Sequence, residues 1–154
     1  MEDIDHTLQL RPIVDELPTA FDDLGAEASG EGHRFVDRLA AEWAAGQMRF
    51  DGCGEMLLAG YINGELAGIG GLTIEPAVPG ALRMRRFYVR PSQRRSGVGR
   101  RLALALLERA EDATGLVTVN AQRDSFPFWE SLGFRPDQRD GRTHAQNLGA
   151  EHAR

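Results

Sequence analysis

Apolar residues recur along this chain with two different periods. Spacings of three and four, as in Leu17, Phe21 and Leu24, are typical of an amphipathic helix, whereas short apolar runs closed by turn residues are typical of strands. The pair Asn63-Gly64 suits a type I′ turn between two strands, because that turn needs a positive φ at both central residues. The predicted elements are strands at 8–14, 56–62, 66–74, 82–89 and 116–119, helices at 15–28, 31–45, 102–113 and 125–132, and two short strands within 134–148.

This order of elements predicts the α/β class with a mixed sheet. No internal repeat, linker or low-complexity tract interrupts the pattern, so we expect a single domain over residues 1–154. A chain of 154 residues is long enough to bury a core of its own. No apolar run approaches the roughly 20 residues that a membrane-spanning helix needs, so no membrane partner is expected.

Cysteine content and the first residues bear on the compartment. Cys53 is the only cysteine, which excludes an intrachain disulfide and a metal site built from several thiolates. Residues 1–12 are acidic and polar, which is not the pattern of a secretory signal. We therefore expect a reducing, cytoplasmic location and no metal.

Charge is unevenly distributed along the chain. The formal net charge is −5, and all 18 basic residues are arginine. No acidic residue lies between Glu75 and Glu108, and this window holds eight arginines: Arg83, Arg85, Arg86, Arg90, Arg94, Arg95, Arg100 and Arg101. An acidic protein with one basic stretch is expected to bind an anionic ligand there. A general replacement of lysine by arginine would explain the missing lysines, but it would not explain the missing acids.

The loop Arg94-Arg95-Ser96-Gly97-Val98-Gly99 follows the strand that ends at Val89 and precedes a helix. Such a turn presents unpaired backbone N–H groups at the positive end of the helix dipole, where an anion binds. The helix carries arginines in its first turn and acids in its last, against its own dipole, which favours a phosphate at its start. The alternative is an ordinary glycine turn with exposed arginines. The spacing matches neither a Walker loop nor a dinucleotide-binding fingerprint.

Two segments carry a resemblance to a known family. Val89, Arg94, Gly97 and Gly99 match the signature Arg/Gln-x-x-Gly-x-Gly/Ala after a strand that ends in valine, and residues 128–134 (FWESLGF) resemble the second landmark, aromatic-Tyr-Glu-x-x-Gly-Phe. These segments, their separation and the order of elements from 8 to about 148 resemble the GNAT N-acetyltransferase superfamily. The resemblance implies a mixed, mostly antiparallel central sheet flanked by helices.

The same resemblance implies an N-acetyltransferase that moves acetyl directly from acetyl-CoA to an amine in a ternary complex. In this family the fourth strand and the next splay apart around the pantetheine arm. The Val89 N–H would face the thioester oxygen as a catalytic donor, and the amides of residues 95–100 would hold the pyrophosphate. The implied cofactor-binding residues are Phe87, Val89, Arg94, Arg95, Ser96, Gly97, Val98, Gly99, Arg100, Asn120, Phe128 and Trp129.

The chain departs from the family pattern at two catalytic positions. The usual general-acid tyrosine aligns with Trp129, and a glutamate common early in the fourth strand aligns with Arg83. Glu75, at the end of the preceding strand, is therefore the candidate general base. The competing interpretation of Glu75 is a solvated carboxylate in the turn before Pro76.

The acceptor is expected to be an amine on a small molecule or a protein. Its pocket should involve the two N-terminal helices and residues 47–55, with Phe35, Trp43 and Phe50 as candidate wall residues. Acidic side chains in this half of the chain could attract a cationic amine: Asp37, Glu42, Asp51 and Glu55. His144 is a further candidate for the acceptor site, whereas His6, His33 and His152 are expected at the surface.

Two other functions remain open at this point. One is a CoA-binding module with little or no catalysis, which the departures at Trp129 and Arg83 favour. The other, less favoured, is nucleic-acid binding through the arginine stretch, since eight arginines would neutralise several phosphates. The negative net charge and the few aromatic residues beside the arginines argue against it. Many members of the family are dimers, so a homodimer is expected by analogy alone.

Overall fold

The structure is a computed structural model that describes residues 8–148; His6 and His152 lie outside the described residues. It contains seven strands, four α-helices and two short 3₁₀ turns, at Pro91–Gln93 and Arg123–Ser125. In chain order the elements are β1 (Leu8–Pro12), α1 (Phe21–Gly30), α2 (Phe35–Ala44), β2 (Met56–Ile62), β3 (Glu65–Ile74), β4 (Leu82–Val89), α3 (Val98–Glu111), β5 (Leu116–Val119), α4 (Phe126–Ser131), β6 (Arg135–Arg139) and β7 (Arg142–Asn147).

All seven strands form one sheet in the order β1-β2-β3-β4-β5-β7-β6. Every pair of neighbours is antiparallel except β4 and β5, which are parallel and joined through α3. The predicted mixed, mostly antiparallel sheet with flanking helices is thereby confirmed. The single parallel pair is also the place where the sheet opens.

Two hydrophobic clusters cover the two faces of the sheet. One contains Leu102 and Leu106 of α3 and Trp129 of α4, and the other contains Leu24 of α1 and Leu39 of α2. Adjacent residues of a strand point to opposite faces, and neighbouring β2 residues belong to different clusters, so the clusters lie on opposite sides. Helices α3 and α4 therefore pack on one face and helices α1 and α2 on the other.

Two helices begin later than the apolar spacing predicted. Helix α1 begins at Phe21 rather than at residue 15, because Pro18 keeps the residue before it out of the helical region, and the Phe21 N–H donates to the Pro18 carbonyl at 3.0 Å. Helix α2 begins at Phe35 rather than at residue 31, because Gly32 has a φ of +89°. Helix α3 begins earlier than predicted, at Val98, directly after the loop.

The predicted turns are confirmed by their backbone angles. Asn63 and Gly64 have φ values of 52° and 83°, as a type I′ turn requires. Gly133 has a φ of +100° and ends α4. Within residues 8–148, no helix has both the length and the apolar composition needed to cross a membrane.

Candidate functional site

Strands β4 and β5 separate part of the way along their length. They pair in parallel from Leu82 opposite Val117 to Met84 opposite Val119, and β4 continues to Val89 without this neighbour. A cleft of about 780 Å³ lies in this opening, between residues 83–89 of β4 and residues 119–122 after β5. The splay expected from the family resemblance is therefore present.

A β-bulge lies in β4 beside the opening. Arg86 and Phe87 together oppose the single β3 residue Gly70, and Arg86 adopts a φ of 62°. The Phe87 ring lies over Gly70, where an added Cβ would come within 2.6 Å of it. The same ring meets Trp129 edge to face, with centroids 5.0 Å apart. The bulge and the glycine together fix Phe87 in the wall of the cleft.

The backbone of Val89 faces the cleft. Val89 is opposite Gly68, and the next residue, Arg90, donates its N–H to the Ala67 carbonyl at 2.8 Å. Hydrogen-bonded and non-hydrogen-bonded pairs alternate in an antiparallel ladder, so the polar groups of Val89 point away from β3. Consistent with this, the Val89 carbonyl accepts a 2.9 Å hydrogen bond from Nε of Arg94.

Most of the predicted cofactor residues meet at this cleft. Eight of them line it: Phe87, Val89, Arg94, Arg95, Gly99, Asn120, Phe128 and Trp129. The other four, Ser96, Gly97, Val98 and Arg100, belong to the adjoining loop and the first turn of α3 without lining the cleft. The Val98 side chain is buried in the core, and Ser96 Oγ donates to the Gln93 carbonyl. Any contribution from these four residues to a ligand would come chiefly from their backbone.

The start of α3 offers free backbone donors. Gly97 precedes the helix in the left-handed region, with a φ of +90°, and its carbonyl accepts the Arg101 N–H at 2.9 Å. The amides of Val98, Gly99 and Arg100 come before the first turn closes, so they have no intrahelical partner. A Cβ on Gly99 would lie 3.5 Å from Val89 and 3.6 Å from Phe128, which is ordinary contact distance.

Arg94 anchors this loop to the end of α1. Its two terminal nitrogens donate to the Glu31 carboxylate at 3.0 and 2.7 Å. Hydrogen bonds from Arg94 and from the Tyr88 hydroxyl hold the pKa of Glu31 below its ordinary value. Burial and the Glu31 carboxylate raise the pKa of Tyr88, which makes its hydroxyl a poor acid. Arg94 was predicted to bind the cofactor, but its side chain is engaged in positioning the loop.

Glutamates from outside the basic stretch neutralise four of its arginines. The pairs are Arg83–Glu75, Arg86–Glu42, Arg90–Glu27 and Arg94–Glu31, with N–O distances of 2.9, 2.9, 2.9 and 2.7 Å. Arg85 and Arg95 also line the cleft, and neither has a carboxylate at ion-pair distance among residues 8–148. Within the described part of the chain, Arg85 on β4 and Arg95 in the loop before α3 thus line the cleft without a carboxylate partner.

The position of Glu75 argues against its predicted role as the general base. Glu75 is 1% exposed, does not line the cleft, and accepts hydrogen bonds from Thr118 at 2.6 Å, from Arg83 at 2.9 Å and from the Ala77 amide at 2.7 Å. Burial alone would raise its pKa, but these hydrogen bonds and the charge of Arg83 outweigh burial and hold the pKa below its ordinary value. A buried, paired carboxylate of lowered pKa is a weak base, so we assign Glu75 a structural role. The solvated-turn alternative is wrong as well, since the side chain is buried.

Trp129, which the family resemblance implied as a cofactor residue, is both part of the core and part of the cleft wall. It is 4% exposed within the core cluster of α3, and its indole ring also lines the cleft. Phe87, Phe128 and Phe134 each meet its ring edge to face, with centroids 4.9–5.4 Å apart. This aromatic packing makes a rigid apolar wall that carries no proton donor of useful acidity.

The N-terminal helices contribute to the cleft differently from the prediction. Phe35 lines it, whereas Trp43 and Phe50 are buried in the core cluster beneath α1 and α2. His33, expected at the surface, also lines the cleft. No sequence signal identified His33, because its place depends on the chain turning at Gly32 before α2 begins.

His144 lies beside the site rather than in it. It is 1% exposed and does not line the cleft. Its Nε2 lies 2.9 Å from the Glu130 carboxylate and its Nδ1 lies 2.9 Å from the Thr143 hydroxyl. Both ring nitrogens are engaged, so we assign His144 to the packing of β7 against α4.

Comparison with known proteins matches residues 22–146 to the family model described as acetyltransferase (GNAT) domain. No curated protein matches the sequence. The solved structures that resemble it include a candidate acetyltransferase from Exiguobacterium sp. 255-15, with a TM-score of 0.84 and 21% identity over 96% of this chain and 99% of that one.

Two further solved structures share the fold at lower identity. An acetyltransferase from Streptococcus agalactiae 2603 has a TM-score of 0.72 and 13% identity, over 92% of this chain and 99% of that one. The PaiA N-acetyltransferase from Thermoplasma acidophilum, in complex with coenzyme A, has a TM-score of 0.63 and 14% identity, over 92% of this chain and 99% of that one. At these identities the likeness concerns the fold.

Proposed function

The chain belongs to the GNAT acetyltransferase family, and on that premise we propose that it transfers acetyl from acetyl-CoA directly to an amine. The observation that carries the proposal is the opening between β4 and β5, which begins at the α3 loop and extends to the bulge. The opening forms where the pairing of β4 with β5 ends at Met84. The glycine loop borders its other end, and the backbone of Val89 faces into it. The coenzyme A complex of the PaiA enzyme gives the proposed cofactor a precedent on this fold.

The residues around the loop fit a pyrophosphate. The free amides at the start of α3 are donors, the helix dipole favours an anion there, and Gly99 leaves the approach open. Arg95 lines the cleft without a carboxylate partner among the described residues and adds a positive charge. We assign the phosphate contacts to these amides and to Arg95, and not to the side chain of Arg94.

The rest of the cleft fits an extended, mostly apolar arm. Phe87, Phe128 and Trp129 form one wall, and the open edge of β4 offers backbone groups. When bound, acetyl-CoA supplies an activated acyl group on a thiol leaving group. The Val89 N–H points into the opening and is positioned to donate a hydrogen bond to the acyl carbonyl oxygen, where negative charge develops during transfer.

Catalysis on this arrangement depends on position more than on proton transfer. The cleft has no tyrosine acid on α4 and no glutamate at position 83, and Glu75 is excluded by its pairing. Holding the amine and the thioester together, with one oxyanion donor, supplies much of the acceleration that acyl transfer needs. His33 and Tyr88 are titratable side chains on the α1–α2 side of the cleft, and the Tyr88 hydroxyl is already bonded to Glu31. We therefore propose His33 as the group that removes a proton from the incoming amine.

The proposal is tested at Gly99, where substitution does not force a left-handed residue as it would at Gly97. Calorimetric titration with acetyl-CoA and with CoA should give micromolar binding for the unmutated protein and for Gly99→Ala, whose methyl group fits at contact distance. Gly99→Leu should abolish binding with an unchanged circular dichroism spectrum. Absence of binding to the unmutated protein would refute the proposed function.

Binding and catalysis are separated by a second assay. Release of free thiol from acetyl-CoA is followed in the presence of a broad panel of amines. Turnover with any amine supports the enzyme, whereas CoA binding with no turnover supports the alternative of a binding module, which the indole at position 129 favours.

A further inference from the structure

Three arginines of β4 lie where the two strands separate, at the end of the cleft away from the α3 loop. Arg83, Arg85 and Arg86 all line the cleft, and Met84 between them is the last β4 residue paired with β5. Arg85 is opposite Gly71 and Val89 is opposite Gly68, so the strand rise of about 3.3 Å per residue places Arg85 roughly 10 Å along the sheet from Val89, and the α3 amides lie beyond that. These arginines are therefore not placed to hold the cofactor pyrophosphate.

The three arginines differ in their partners. Arg83 pairs with Glu75 and Arg86 pairs with Glu42, each at 2.9 Å. Arg85 is half-buried and has no carboxylate at ion-pair distance among residues 8–148. Burial of Arg85 and repulsion by Arg86 and Arg83 lower its pKa, and attraction by Glu42 offsets this only in part, so the cation is incompletely compensated. Burying such a charge costs free energy, and an anion that pairs with it offsets this cost.

The Arg85 side chain lies on the face of the sheet that α1 and α2 cover. Met84 belongs to the cluster beneath α3, so the adjacent Arg85 points to the opposite face, that of α1 and α2. The bulge lets Arg86 reach Glu42 of α2 on this side as well, and His33, just before α2, and Phe35, its first residue, line the cleft there. The aromatic wall proposed for the cofactor arm belongs to the other face, with α3 and α4. Arg85 therefore faces the space left for the acceptor.

Acidic residues in the N-terminal half do not balance this charge in the cleft. Asp37 accepts from Ser29, Glu55 accepts from two backbone amides, and Glu42 is held by Arg86. Asp124 is the single carboxylate among the described lining residues, and it is exposed on the far wall after β5. None of the four acids that the sequence suggested for attracting a cationic amine (Asp37, Glu42, Asp51 and Glu55) lines the cleft.

We propose that the acceptor carries an anionic group, a carboxylate or a phosphate, in addition to its amine, and that Arg85 binds this group. The proposal rests on the proposed acetyltransferase function and gives it a substrate class. Arg83 and Arg86 are positioning residues here: their pairing with Glu75 and Glu42 holds the flanking guanidinium groups, so that Arg85 alone is left for the ligand.

The test compares matched acceptors that differ in one anionic group. Thiol release is measured with the common amino acids against their decarboxylated amines, for example tyrosine against tyramine, and with O-phosphoethanolamine against ethanolamine. We expect kcat/KM to be about 10- to 100-fold higher for the anionic member of at least one pair, as a charge-assisted hydrogen bond provides. The two kinds of pair distinguish a carboxylate from a phosphate.

Variants show whether the preference for the anionic acceptor comes from Arg85 or from the reactivity of the amine itself. Arg85→Met should reduce the preference within the pair to about threefold or less, whereas Arg109→Met, which removes an exposed arginine of α3 outside the cleft lining, should retain it. Calorimetry should show CoA binding unchanged in Arg85→Met. A preference that survives Arg85→Met, faster turnover of the amines that lack the anionic group, or weaker CoA binding in this variant would overturn the proposal.

Two further outcomes distinguish a failure of the proposed substrate class from a failure of the proposed acetyltransferase function. If the unmutated protein binds CoA but acetylates no amino acid and no amino phosphate, the substrate class is refuted while the cofactor site stands. If it does not bind CoA at all, the acetyltransferase function fails before the substrate class is reached.

Discussion

The substitution Glu75→Gln distinguishes a structural carboxylate from a general base. Glu75 is buried at the end of β3 and holds Arg83, Thr118 and the Ala77 amide. Glutamine keeps the size of the side chain and part of the hydrogen bonding but removes the charge opposite Arg83. The change therefore acts on the ion pair while leaving the backbone in place.

The expected loss of stability in Glu75→Gln follows from the burial of its ion pair with Arg83. Removing one partner of a buried ion pair costs about 3–5 kcal/mol, and since the Arg83 side chain is 15% exposed we expect the lower end, about 3 kcal/mol. For a domain of this size, about 2–4 °C of melting temperature accompany each kcal/mol, so the melting temperature should fall by about 6–12 °C. The control Glu55→Gln, which removes a carboxylate that accepts only from backbone amides nearer the surface, should cost about 1 kcal/mol or less.

The pH dependence has a defined sign. The pKa of Glu75 is lower in the folded protein than in the unfolded chain, so its contribution is fully present above the unfolded value of about 4.3 and is lost as pH falls through the folded value. The difference in stability between the unmutated protein and Glu75→Gln should therefore narrow below about pH 4 in urea titrations.

The kcat of Glu75→Gln decides whether Glu75 is a structural carboxylate or the general base. Removing a general base costs about 10²–10⁴ in rate, whereas a structural variant assayed well below its melting temperature should keep kcat within a few-fold. A large loss of kcat with an unchanged melting temperature would refute the structural assignment and restore Glu75 as the base.

Two further substitutions test the cofactor wall and the loop. Gly70→Ala places a methyl group 2.6 Å from the Phe87 ring, so we expect a loss of about 1–3 kcal/mol in urea unfolding and weaker acetyl-CoA binding, while Gly30→Ala, with no atom within 4 Å, should change neither. Glu31→Gln releases the Arg94 anchor, and because this pair is partly exposed, calorimetry should show CoA affinity reduced about two- to fivefold. Equal effects from Gly70→Ala and its control, or a CoA affinity unaffected by Glu31→Gln, would contradict these assignments.

Local sequence patterns were sufficient for the strands and the turns. The strands on either side of Asn63-Gly64 lie where apolar runs and turn chemistry placed them, since both signals act between neighbouring residues, and β6 and β7 fall within the predicted 134–148. The starts of α1 and α2 were predicted too early, because apolar spacing continues across Pro18 and Gly32 although the backbone cannot. Periodicity identified the packed face of each helix, and single breaker residues determined its ends.

The family signature located the loop and the opening but not the roles of charged side chains. Glu31 lies 63 residues before Arg94, and Glu75 lies 43 residues before Thr118, so no local pattern relates the members of either group. The position of His33 is likewise not visible in the local sequence, because it reaches the cleft only when α1 packs on β3 and α2 packs on β4. Pairing of this kind follows from the assembled sheet and is absent from any short window of sequence.

These pairings explain the charge pattern that first drew attention to the basic stretch. The acid-free window between Glu75 and Glu108 contains no internal partner for its arginines, and the acidic N-terminal half supplies three of the four glutamates that pair with them. Once these pairs form, the cleft lining retains Arg95 at the loop and Arg85 at the bulge. Two separated charges suit two small anionic groups at opposite ends of one cleft better than the continuous phosphate backbone of a nucleic acid, which needs many free cations along one surface.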